Sequence, residues 1–139
     1  TLSQKVPVSG AVIVTTPQDI ALLDAMKGIE MFAKVDIPVL GIVENMSAHQ
    51  CPRCGHISHL FGADGGRRVA EDLSVPLLGQ LPLAMSIREQ ADGGQPTVKV
   101  EPDSKISALY RDAARKMAAQ LWGRKSPAAS GPTISMVDD

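Results

Sequence analysis

Aromatic residues and long apolar runs are scarce in this chain. Phe, Trp and Tyr make up 3% of its 139 residues, although hydrophobic residues make up 44%. No apolar run approaches the roughly 20 residues that a membrane-spanning helix requires. The N-terminal sequence TLSQKVPVSG lacks the apolar core of a secretory signal. We therefore expect no membrane partner, and a cytoplasmic location.

An excess of charge of either sign is also missing. The chain has 14 Lys and Arg residues against 15 Asp and Glu residues, which gives a formal net charge of −1. General binding to nucleic acid needs a marked excess of basic residues. Nucleic acid is therefore not an expected partner, and the length fits one globular domain with a modest core.

The cysteines are few, but they lie together with all the histidines in HQCPRCGHISH, residues 49–59. A disulfide between Cys51 and Cys54 would close too small a loop to stabilise a fold, so a metal or redox role is favoured. Two thiolates at this spacing can face one metal ion, with Gly55 permitting a tight turn. Two ligands are half of the four that tetrahedral zinc or a 4Fe-4S cluster requires.

The histidines leave two alternatives open. His49 and His59 are near enough to complete a mononuclear Cys₂His₂ site within one chain, whereas His56 fits the usual ligand spacing poorly. Solvated histidines are the simpler interpretation. A free dithiol that binds nothing is the corresponding alternative for the cysteine pair.

Short β-branched runs alternate with amphipathic segments along the chain. Buried strands are predicted at 10–16, 36–46 and 75–83, with helices after the first strand, at 64–73, at 84–94 and from Asp103 to Trp122. Strand, helix, strand in this order is a βαβ unit with a right-handed crossover. The pattern predicts an α/β fold with a partial parallel sheet and flanking helices.

The helix ends and faces can also be predicted. Thr16 is the predicted N-cap of the first helix, with Asp19 as its capping-box partner, and Asp103 is the predicted cap of the last. Gly93 is predicted to end the 84–94 helix in the C′ position, and 123–139 is predicted to be a disordered tail. The predicted core-facing stripes are Ile20, Leu23, Met26, Ile29, Met31, Phe32 and Val35 in the first helix, and Ile106, Leu109, Tyr110, Ala113, Met117 and Leu121 in the last.

Several stretches together resemble the C-terminal half of the Mrp/ApbC family, which are MinD-like P-loop ATPases that act as iron-sulfur cluster carriers. The stretches are VIVTTPQDIALLDAMKGIEMF, IPVLGIVENMS, CPRCGH, LFGADGGRRVAEDL and VPLLGQLPL. ENM followed a few residues later by CPxCGH is this family's own signature. The resemblance implies that 1–122 is the C-terminal part of a MinD-like P-loop NTPase domain.

The resemblance also implies a shared metal site. In the family, two subunits each donate one CxxC pair, so that a 4Fe-4S cluster bridges a homodimer. Cys51 and Cys54 match that pair, and recipient iron-sulfur apoproteins are the implied partners. Zinc in place of the cluster is the alternative, and it would suit a MinD-like ATPase that works in partitioning or assembly. A plain interaction module with an inert dithiol is the third class.

ATP and Mg²⁺ are the implied ligands of the intact protein. Asn45 ends a buried strand at the carboxyl edge of the sheet, where open α/β sheets bind ligands. It matches the Asn that pairs with adenine in MinD-like ATPases, and Pro82 is predicted to line the same base pocket. A loop amide satisfied by its neighbours is the alternative for Asn45.

One part of the family pattern is absent. The chain contains no Gly-rich GxxxxGK sequence followed by Ser or Thr, whose backbone N–H groups, Lys and hydroxyl hold phosphates and Mg²⁺. We therefore expect no ATPase activity from this chain alone. Because the phosphate-loop strand lies centrally in this fold class, we also expect an uncovered sheet edge and self-association.

Overall fold

The structure, a computed structural model, describes residues 5–124, so 125–139 of the predicted tail lies outside the described residues. A regular alternation of strands and helices begins at residue 11. The elements in chain order are β1 (Ala11–Thr15), α1 (Asp19–Lys34), β2 (Val39–Glu44), β3 (His49–Gln50), β4 (Ile57–Ser58), α2 (Gly65–Asp72), β5 (Leu77–Gln80), α3 (Met85–Asp92), α4 (Thr97–Val100) and α5 (Lys105–Gly123).

Three of the strands form one parallel sheet in the order β1-β2-β5. The central strand β2 carries Ile42, which is fully buried, as expected for a strand covered on both faces. A core cluster joins β2 to α1 and α2, and α5 packs against β5 and β2. The predicted α/β fold, a partial parallel sheet with flanking helices, is confirmed. None of the helices in residues 5–124 is long and apolar enough to cross a bilayer.

The predicted capping box at the start of α1 is wrong. The helix begins at Asp19, and its N-cap is Gln18, which makes no capping hydrogen bond through its side chain. Thr16 instead donates its hydroxyl hydrogen bond to the side-chain oxygen of Gln18. The chain uses residues 16–18 to turn from the end of β1 into the helix, so the helix starts later than the capping signal indicated.

Two other helix ends are shifted by one residue from the prediction. The N-cap of α5 is Ser104 rather than Asp103, because the Ser104 hydroxyl accepts a hydrogen bond from the N–H of Ser107 at 3.1 Å. At the end of α3, Gly93 has a φ of −77°, and the left-handed residue is Gly94, with a φ of +69°. In both cases the next residue along the chain, which can make the same kind of helix cap, occupies the predicted position.

The predicted core stripe of α1 is wrong in part. Ile29 is buried as predicted, together with Leu22 and Ala25. Ile20 and Leu23, however, are 75% and 55% exposed, and Met31 and Val35 are also exposed. The apolar residues of α1 cover more of the helix surface than one contact can bury. The described residues cover only the side that carries Leu22, Ala25 and Ile29.

The last helix shows the same division of its predicted stripe. Ala113 is buried, and Ile106 and Tyr110 are half-buried. The other three predicted core residues are exposed, and they are Leu109, Met117 and Leu121. The helix packs against β5 and β2 over a narrow line of contact, so side chains at the borders of the stripe remain in solvent.

The outer edge of β1 is open, as predicted. Within residues 5–124, β1 pairs with β2 alone, and Val14 is 64% exposed. A groove of about 470 Å³ runs along this edge between β1 and α1. Its lining consists of Val12, Ile13, Val14, Thr15, Thr16, Ala21, Asp24, Ala25, Gly28 and Asn45.

Candidate metal centre and the carboxyl edge of the sheet

The cysteine segment forms a short hairpin. Strands β3 and β4 pair antiparallel, and Cys51 and Cys54 lie in the turn that connects them. The Cys51 N–H donates to the His56 carbonyl at 2.8 Å, and the Gly55 N–H donates to the Cys51 carbonyl at 2.9 Å. Gly55 has a φ of +74°, a conformation that glycine adopts without strain. The tight turn predicted at Gly55 is confirmed.

The backbone of Cys54 and of Arg53 faces one of the two sulfurs, that of Cys51. Cys51 is half-buried and Cys54 is exposed. Hydrogen bonds from the backbone of Cys54 and of Arg53, followed by one from the Cys54 side chain, lower the pKa of the Cys51 thiol from its ordinary value, and burial opposes them weakly. These hydrogen bonds favour the thiolate form of Cys51, which is the form of cysteine that can bind a metal.

The histidines do not complete a site within one chain. His59 Nδ1 lies 2.9 Å from the Ser47 carbonyl oxygen, and since a carbonyl only accepts, Nδ1 carries the proton. In the part of the chain that the structure describes, no three His, Cys, Asp or Glu side chains come together in a way that could hold a metal ion. The single-chain Cys₂His₂ alternative therefore has no support in residues 5–124, and the donor set fits half of a four-thiolate centre.

The hairpin is attached to the segment that follows β5. The Leu81 carbonyl accepts hydrogen bonds from the N–H and the hydroxyl of Ser47, at 2.9 and 3.0 Å. Two residues further on, the Leu83 N–H donates to the Ala48 carbonyl at 2.9 Å, and Leu83 forms a parallel bridge with His49. These bonds hold the cysteine turn close to the carboxyl ends of β2 and β5.

A buried carboxylate that the sequence analysis did not single out lies at the base of this region. Glu44, the last residue of β2, is fully buried. Its carboxylate accepts hydrogen bonds from the Gly66 N–H at 2.5 Å and from the Gln80 side-chain amide at 2.9 Å. The positive N-terminal end of α2 thus faces the Glu44 carboxylate. A Cβ at Gly66 would lie 2.9 Å from the Glu44 Cβ, so this approach requires glycine.

The Glu44 carboxylate belongs to a larger polar network. The Gln80 amide nitrogen also donates to Asp64 at 3.2 Å, and Arg67 donates to Gln80 at 3.1 Å and to Asp64 at 3.4 Å. These bonds, with that from Gln80 the largest contribution, lower the pKa of the Asp64 carboxyl. An acidic residue at the end of the apolar run VLGIV was the sequence signal that could have revealed Glu44.

Asn45 and Pro82 follow neighbouring strands. The Asn45 N–H donates to the Thr15 carbonyl at 2.7 Å, and its side-chain oxygen accepts from the Met46 N–H at 2.9 Å. Asn45 therefore contributes to the lining of the groove beside β1. Pro82 is half-buried in the segment after β5, on the other side of β2. The structure brings both residues to the carboxyl edge of the sheet, and only Asn45 lines this groove.

The fold of this chain is that of solved MinD-like P-loop ATPases. The chain superposes with a TM-score of 0.61 on MinD of Pyrococcus horikoshii complexed with Mg-ADP, at 27% identity, over 78% of this chain and 40% of that one. It superposes with a TM-score of 0.58 on a nucleotide-binding protein of Archaeoglobus fulgidus in complex with ADP, at 35% identity, over 68% and 39% of the two chains.

Residues 1–118 match the family model of the NUBPL iron-transfer P-loop NTPases, and the chain belongs to this family. It is 61% identical over 114 residues to the iron-sulfur cluster carrier protein of Pseudomonas fragi, and the aligned residues cover 82% of this chain and 40% of the relative. It is 54% identical over 120 residues to the iron-sulfur cluster transfer protein NUBPL of Mus musculus, which covers 86% and 38%. The chain thus spans about two fifths of the length of these relatives. The family expected from the sequence is confirmed.

Proposed function

We propose that this chain is the cluster-holding part of an iron-sulfur cluster carrier. The observation that carries the proposal is the pair Cys51 and Cys54 in a hairpin turn whose backbone amides face one sulfur. The names of the relatives, iron-sulfur cluster carrier and transfer proteins, support the same function. The cluster is cargo here, and recipient iron-sulfur apoproteins take it up.

The second half of the ligand set comes from a second copy of the chain. One chain offers two thiols, and four thiolates are needed by a 4Fe-4S cluster or by tetrahedral zinc. An isologous dimer presents Cys51 and Cys54 twice across a two-fold axis, so the homodimer and the bridging 4Fe-4S cluster form together. Cluster loading therefore controls the oligomeric state.

In the intact protein, ATP and Mg²⁺ bind at the carboxyl edge near Asn45 and Pro82. The open groove beside β1, which Asn45 helps to line, is a suitable place for the phosphate-loop strand of a complete domain. This chain has no GxxxxGK sequence, so it should release no phosphate from ATP by itself. Hydrolysis belongs to the complete protein.

Anaerobic reconstitution with iron and sulfide tests the cluster and the dimer in one experiment. We expect visible absorption typical of an iron-sulfur centre, one centre per two chains, and a doubled mass in solution. Cys51→Ser or Cys54→Ser should each abolish both results, because one substitution removes two ligands of the shared centre. His56→Ala is the matched control and should retain them.

The alternative is a structural zinc ion at the cysteine pair of a MinD-like ATPase that works in partitioning or assembly, and the fold shared with the MinD structures supports the ATPase class. Zinc is colourless, so absorption together with metal analysis distinguishes the two. One full zinc ion per monomer, lost on His56 or His59 substitution, would contradict the bridging site.

A further inference from the structure

The segment that carries the cysteines contains no carboxylate. Residues 45–63 hold both cysteines, all three histidines and Arg53, yet no Asp or Glu, although the chain has 15 acidic residues. The two carboxylates that flank the segment are engaged elsewhere. Glu44 is buried against Gly66 and Gln80, and Asp64 is bonded to Gln80 and Arg67. The hairpin is therefore a surface on which the only permanent charge is positive.

Arg53 supplies that charge. It lies between the two cysteines in the turn, its backbone contributes a hydrogen bond to the Cys51 sulfur, and its residue surface is exposed. The ion pairs formed within residues 5–124 involve other cations, and none of them includes Arg53. No carboxylate in the described part of the chain therefore neutralises this guanidinium.

A centre held by four thiolates is an anion. Zn²⁺ or a 4Fe-4S core contributes about two positive charges against four thiolate charges, so the net charge is about −2. An arginine side chain attached one residue from a ligand stays within roughly 10 Å of such a centre, a distance over which charges interact measurably at ordinary ionic strength. Carboxylates in residues 45–63 would weaken binding of the centre, because their negative charge would repel it.

We infer that Arg53 is a counter-charge for an anionic tetrathiolate centre, and that the absence of carboxylates from 45–63 serves the same purpose. The inference rests on the proposed function, since it requires Cys51 and Cys54 to be ligands. In the two-fold arrangement, each centre is accompanied by two Arg53 side chains. Arg53 acts on the centre through its positive charge alone, and it is not a ligand of the metal.

The test is a charge series at one position in the full-length chain. Zn²⁺ affinity is measured anaerobically by chelator competition for the parent, Arg53→Lys, Arg53→Gln and Arg53→Glu, with Arg115→Gln on the exposed surface of α5 as the matched control. We expect Arg53→Lys and the control to match the parent, Arg53→Gln to bind about tenfold more weakly at low salt, and Arg53→Glu to bind more weakly still. The differences should shrink in high salt.

A second readout is the midpoint potential of the reconstituted iron-sulfur centre. Reduction adds negative charge, so Arg53→Gln should give a lower potential than the parent, and Arg53→Lys should restore the parent value. Equal affinities and potentials across the series, or equal losses in the Lys and Gln variants, would overturn the inference while leaving the cysteine site intact. A parent chain that takes up no metal at Cys51 and Cys54 would remove the proposed function and this inference together.

Discussion

The carboxyl edge and the outer edge of the parallel sheet differ in how far their polar groups are paired. At the carboxyl edge, Glu44 is buried with its hydrogen bonds satisfied, and Ser47 ties the cysteine hairpin to Leu81. At the outer edge, the side of β1 that faces away from β2 has no partner strand within residues 5–124, and Val14 is exposed beside an open groove. The carboxyl edge is thus stabilised by hydrogen bonds among the described residues themselves, whereas the outer edge of β1 leaves backbone groups open to pairing.

The largest expected effect on the free energy of unfolding comes from removing the buried Glu44 carboxylate at the carboxyl edge. Glu44→Ala leaves the Gly66 N–H and the Gln80 amide without their acceptor and opens a cavity, so we expect a loss of about 3 kcal/mol in unfolding free energy. Urea unfolding measures it. Glu71→Ala, at an exposed position of α2, should change stability by less than about 0.5 kcal/mol. Equal effects of the two variants would refute the importance assigned to the Glu44 network.

A smaller, local effect is expected where the hairpin is attached. Ser47→Ala removes the hydroxyl bond to the Leu81 carbonyl but keeps the backbone bond, so opening of the hairpin should become easier by about 1 kcal/mol. Hydrogen exchange at the amides of Cys51 and Gly55 reports this opening. Ser58→Ala is the control, because its hydroxyl bond to the His49 carbonyl is long at 3.5 Å. Unchanged exchange in Ser47→Ala would show that the backbone bonds alone hold the hairpin.

The open edge should reveal itself by self-association, with little effect on unfolding free energy. At high concentration the metal-free chain is expected to associate by strand pairing at β1, and Val14→Lys should suppress this because a charge at an edge strand opposes pairing. Since Val14 is already 64% exposed, the substitution should cost less than about 0.5 kcal/mol. Light scattering against concentration is the measurement, and a parent chain that stays monodisperse and monomeric would contradict it.

The smallest expected effect concerns Asp64, in the outer part of the polar network. Its hydrogen bonds to Gln80 and Arg67 lower the carboxyl pKa in the folded state. The associated stability is therefore present above the unfolded pKa and is lost as pH falls through the folded pKa. Asp64→Asn should flatten the acid side of a stability against pH profile only slightly. A profile identical to that of the parent would show that solvent screens the bonds completely.

The fold was predicted well because its signals are local in sequence. Buried strands in a parallel sheet appear as continuous aliphatic runs, and the three predicted strands contain the three strands of the parallel sheet. The signature residues around Cys51 and Cys54 identified the family that the comparisons confirm. The metal role of these cysteines and the nucleotide role of Asn45 and Pro82 stay predictions.

Other features could not be predicted because they depend on which surfaces meet. Nothing in the sequence of α1 distinguishes Ile29, which is buried, from Ile20, which is exposed. The N-cap of α5 was assigned to Asp103 and belongs to Ser104, since adjacent polar residues offer equivalent signals. Glu44 was missed because a carboxylate reads as a solvent-facing group until its donors are known.

Local sequence is enough to specify the strand and helix order, the spacing of the two thiols and the carboxylate-free segment around them, because each depends on residues close together in the chain. Three other features arise only in the folded chain: Glu44 is buried, Ser47 anchors the hairpin, and the outer edge of β1 is open. The first two require Gly66, Gln80 and Leu81 to approach from distant positions. Burial of a charge is tolerable only where such distant donors converge, and a linear pattern contains no record of that convergence.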